Sequence, residues 1–77
     1  MRFFRVVRPK DTVEVAIIKN KNDNTYSYVN LTKEHICPCR FNSIKETIND
    51  MNKLKEEGKI IKYDELLFCE LKYFSTF

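Results

Sequence analysis

The run His35-Ile36-Cys37-Pro38-Cys39 holds the only histidine and two of the three cysteines of this 77-residue chain. In an extended segment side chains alternate between faces, so His35, Cys37 and Cys39 are expected to point the same way. With Cys69 they make a full tetrahedral set of zinc-preferring donors. Against a metal site stands the spacing. Alternate strand residues are about 6.6 Å apart, and the two-residue spacer of a zinc knuckle is missing. The competing reading takes the cysteines as small apolar fillers, the usual role of free thiols. A Cys37–Cys39 disulfide would close a small strained ring, and an odd cysteine count leaves one thiol over in any monomer. Thiol catalysis with His35 as base is disfavoured because the two side chains run parallel. Gly58 is the only glycine, so no glycine-rich phosphate or oxyanion loop exists. The chain is therefore expected to be non-enzymatic and without a resident cofactor, zinc being the one alternative.

A second candidate chemistry is phosphate binding. Arg2, Arg5, Arg8 and Lys10 lie near the N-terminus beside Phe3 and Phe4, and Arg40 adjoins Phe41. Basic residues next to aromatics neutralise phosphates and stack on bases. On a strand, however, Arg2 and Arg8 share a face and Arg5 takes the other. The formal net charge of +3 is far below that of a dedicated nucleic-acid binder. Lysine and arginine on a strand edge also simply block edge-to-edge aggregation.

A third is protein binding. Six phenylalanines and four tyrosines exceed what one small core needs. Such residues anchor interfaces. Phe3, Tyr26, Tyr28, Tyr73 and Phe74 are the candidates here, with Phe4 and Phe68 assigned to the core.

The elements that must position these residues follow from periodicity. Residues 2 to 8 are rich in β-formers and stop at Pro9, where Pro9-Lys10-Asp11 signals a turn. Residues 12 to 19 alternate, with Val13, Val15 and Ile17 on one face and Glu14, Ala16 and Ile18 on the other. An asparagine-rich loop over 20 to 24 leads into a return strand over 25 to 31. Residues 35 to 40 are expected to be extended and at an edge, since Pro38 donates no ladder bond. A helix is predicted over 43 to 57. Ser43 or Asn42 caps it, Ile44, Ile48, Met51 and Leu54 form its apolar stripe, and Gly58 ends it. Residues 59 to 74 read as a strand interrupted at Asp64-Glu65, with a helical turn over 64 to 69 as the alternative.

The fold class is thus α+β: one domain over 1 to 77, with an antiparallel sheet of four to five strands and one helix on one face. One helix cannot cover both faces. Ala16, Ile18, Tyr26, Tyr28 and the aromatic tail are assigned to the uncovered side, which marks an interaction surface or a homodimer. No stretch is long and apolar enough to span a membrane, and Met1-Arg2-Phe3-Phe4-Arg5 lacks a signal-peptide core. A cytoplasmic protein with reduced thiols is expected. Isoleucine, lysine, asparagine, phenylalanine and tyrosine are abundant and alanine occurs once. That usage points to an AT-rich genome, such as a low-GC bacterium or its phage. The leading functional reading is a phage or mobile-element regulator that inhibits or tethers a larger host or defence protein. The alternative is a zinc-stabilised nucleic-acid-binding module.

Overall fold

The structure, a computed structural model, describes residues 1–72. It contains strands β1 (Arg2–Val7), β2 (Thr12–Asn20), β3 (Thr25–Asn30) and β4 (His35–Ile36), helix α1 (Ile44–Glu56) and strand β5 (Lys62–Leu66). A short 3-10 turn follows at Phe68–Glu70. The strands form one antiparallel sheet in the order β4-β3-β2-β1-β5. This is the α+β architecture expected from the sequence.

Register decides which residues meet. Val13, Val15 and Ile17 of β2 stand opposite Val6, Phe4 and Arg2 of β1. Val15 and Ile17 also stand opposite Asn30 and Tyr28 of β3. These positions share the face that α1 covers. There Phe4, Val6, Val13, Val15, Ile17, Met51 and Ile60 form the buried core. Each large side chain so buried contributes about 1.5–3 kcal/mol. Ile44, Ile48 and Leu54 pack against that core as the stripe predicts. Thr47 is fully buried as well, and its hydroxyl bonds the Ile44 carbonyl.

Both helix ends carry their stop signals. The Ser43 hydroxyl accepts the Glu46 amide at 3.2 Å, and Glu46 accepts the Asn42 amide at 2.7 Å. Ser43 is therefore the cap, and Asn42 closes the box from one residue further out. At the other end Gly58 adopts φ +77. Lys59 N–H donates to Leu54 C=O at 2.9 Å and Gly58 N–H to Lys55 C=O at 3.1 Å, the two bonds of a Schellman motif.

Three expectations are corrected. Asp64-Glu65 does not interrupt a strand: both lie within β5, the outer neighbour of β1, where charged side chains are tolerated. The break comes after Leu66, and the 3-10 turn there falls at the end of the region proposed as helical. Residues 35 to 40 are not one regular strand. Cys37 N–H donates to Tyr28 C=O, and pairing resumes only where Tyr26 and Phe41 exchange two bonds. One residue of β3 thus faces three in the partner segment, so Pro38-Cys39-Arg40 bulges out of the edge. Tyr26 and Tyr28, assigned to the uncovered face, instead pack against the core on the helix side, because register sets them beside Lys19 and Ile17.

The second sheet face is partly covered by the chain itself. After β5 the backbone turns back over β1 and β2. Arg5 Nη2 donates to the Glu70 carbonyl at 3.2 Å, and Lys72 N–H donates to Glu14 Oε2 at 3.0 Å. Leu71 is only 3% exposed.

Candidate functional site

The proposed metal ligands are not brought together. His35 and Cys37 lie at the β4 edge of the sheet, whereas Cys69 lies in the turn after β5, between Phe68 and Glu70, which contact Phe3 and Arg5 of β1. Three strand spacings, about 14 Å, separate β1 from β4. Among the described residues no group of three or more metal-ligating side chains assembles. All three cysteines are free, Cys69 exposed and the other two partly buried. Within the bulge Cys39 N–H points at Cys37 Sγ, 3.4 Å away. Burial and the adjacent Cys37 sulfur push the Cys39 thiol above the usual cysteine range. A raised thiol is a poorer nucleophile at neutral pH. The bulge is held by the buried Ser27 hydroxyl, which donates to the Cys39 carbonyl and receives Arg40 Nη1 at 3.0 Å.

The arginines are each held by an acid. Arg2 forms a two-pronged pair with Glu65 at 2.8 and 2.6 Å. Arg8 does the same with Asp11, both contacts at 2.6 Å. Arg5 reaches the buried Glu14 at 3.2 Å, and Arg40 lies 3.5 Å from Asp23. The Arg8 guanidinium holds the Asp11 carboxyl below the usual range, with Lys10 adding to the same field. Arg2 lies on the helix side, 5.6 Å from the Phe4 ring, while Arg5 faces the other way. No single basic stripe results, because the strand alternation splits the cluster and neighbouring carboxylates neutralise it.

The aromatic candidates divide. Tyr28 donates its hydroxyl to the Thr47 carbonyl and contacts Phe41 edge-on at 5.4 Å. Burial, then the nearby Asp50 carboxylate, push its phenol far above the usual tyrosine range. Tyr28 therefore joins helix to sheet. Phe3 lies on the second face, where Phe68 meets it edge-on with ring centroids 5.6 Å apart. Phe68 is 60% exposed and its neighbour Leu67 69% exposed. Phe68, assigned to the core from sequence, and Leu67 are thus surface residues. Tyr73 and Phe74 lie outside the described residues. The signal for Leu67 was its place just past the last paired residue of β5, which only the strand register reveals.

No family model matches the chain, and neither the curated proteins nor the solved structures return a match. No helix among the described residues is long and apolar enough to cross a membrane.

Proposed function

We propose that this protein is a small non-enzymatic binding domain that docks onto a larger protein through the apolar surface around Phe3, Leu67 and Phe68. The observation that carries this reading is the exposure of the consecutive residues Leu67 and Phe68 just past edge strand β5, with Phe68 packed on Phe3. Large apolar side chains grouped on a surface mark interaction sites. The carboxylate partners of Arg2, Arg5, Arg8 and Arg40 favour a protein over a nucleic acid as the target. The AT-rich residue usage supports an origin in a low-GC bacterium or its phage, acting in the cytoplasm. Inhibiting or tethering a host protein is a role that needs only such a surface.

The test couples the untagged chain to a resin and challenges it with lysate of a low-GC bacterium across a salt series. Capture of one protein that persists at high salt and is lost with Leu67→Asp and Phe68→Asp supports the reading. Capture unchanged by both substitutions overturns it, as does binding confined to nucleic acid that salt releases. A homodimer formed through the same surface would double the native mass and revert to monomer in Leu67→Asp.

A further inference from the structure

Helix α1 does not close the whole core. Toward its C-terminal end a cavity of about 340 Å³ opens between helix and sheet, on the sheet face opposite the Phe3–Phe68 pair. Val13 and Val15 line it from the sheet, Met51 and Leu54 from the helix, and Ile60 from the segment after it. Its polar lining comes from Arg8, Asn30, His35, Cys37 and Lys59 together with Tyr28. Arg8 and Lys59 bring positive charge, and no aspartate or glutamate lines the space. Arg8 gives Nε and Nη2 to Asp11, and Lys59 lies 3.5 Å from Glu57, but neither acid is part of the wall.

We propose that this cavity binds a small aliphatic carboxylate, its chain among Val13, Val15, Met51 and Leu54 and its anionic head at Arg8 and Lys59. The volume lies at the lower end for small-molecule sites. At about 30 Å³ per non-hydrogen atom, on the scale of a water's share of liquid volume, it holds about ten such atoms, the size of octanoate. Apolar walls with a few convergent polar groups are the general form of a ligand site. With Arg8 already gripped by Asp11 at 2.6 Å, selection of the anion over a neutral chain of equal length falls chiefly to Lys59.

Cys37 supplies the readout, because it lines the cavity while Cys69 stands exposed in the turn after β5. The wild-type chain is labelled with iodoacetamide, and each site is followed by fragment mass spectrometry. Octanoate, kept below its micelle concentration, should slow labelling at Cys37 and leave Cys69 unchanged. At twice its Kd the slowing is about threefold. Octanol should protect less. Lys59→Glu should weaken protection by octanoate and leave that by octanol intact. Absence of protection by octanoate overturns the proposal. So does equal slowing at Cys37 and Cys69, which marks a detergent effect, or equal protection by octanol, which removes the role of the charge.

Discussion

The Tyr28 hydroxyl donates to the Thr47 carbonyl, tying the third strand to the only α-helix among the described residues. Thr47 has already accepted a helical position, so its carbonyl serves both the helix and the sheet. Asp50 stands near the same phenol at 3.4 Å. Tyr28→Phe keeps the ring against Phe41 and loses the bond, which should cost about 0.5–1.5 kcal/mol. A pH signature accompanies that loss. The folded phenol holds its proton beyond the point, near pH 10, at which the unfolded chain releases it. The folded state then binds more protons, so stability falls as pH rises above about 10. Urea unfolding at pH 8 and 10.5 should show a smaller alkaline loss in Tyr28→Phe than in the wild type.

Gly58 ends the helix with a positive φ, and a methyl group placed there would meet nothing within 4 Å. Gly58→Ala should therefore destabilise through the backbone alone, by about 1–2 kcal/mol. Gly58→Asn should cost less, since asparagine tolerates the left-handed region better. Chemical denaturation of the two variants checks the order.

Acid should weaken the fold through carboxylates held by arginines. Arg8 lowers Asp11 and Arg2 lowers Glu65, each chiefly by a side-chain hydrogen bond. Carboxyls depressed in the folded state stabilise it above their unfolded values, near pH 4, and lose that contribution as pH falls through the folded ones. Both pairs lie near the surface, so the effect is modest and shrinks with salt. Thermal melts should be level near neutral pH and decline below about pH 4. Asp11→Asn should flatten that decline.

Zinc should contribute nothing to stability, because His35, Cys37, Cys39 and Cys69 do not assemble into one cluster. Chelator should leave the melting temperature unchanged, and Cys69→Ser should match the wild type. A chelator-sensitive melt restored by added zinc would contradict this.

Much of the fold was legible in local patterns. The alternation of Val13, Val15 and Ile17 gave a core strand, and Ser43, Glu46 and Gly58 bounded the helix within a residue. What failed were relations between distant segments. Period-two patterning shows that Tyr26 and Tyr28 share a face, but only pairing with β2 shows that it is the helix face. Asp64 and Glu65 resembled a break because an edge strand accepts charges that a central one refuses. Thr47 lies outside the predicted apolar stripe, yet its hydroxyl is satisfied within its own helix turn, which lets it be buried. The candidate surface at Leu67 and Phe68 depended on where the chain turns after β5, and no local periodicity encodes that turn.

The most direct test of the docking surface places a photoreactive residue at position 67 and, for comparison, at position 53 on the helix. Lys53 is exposed and lies on the helix, away from the second sheet face. Irradiation in lysate should give one protein adduct from position 67 and none of that mass from position 53. The same adduct from both positions, or none from position 67, would contradict the account.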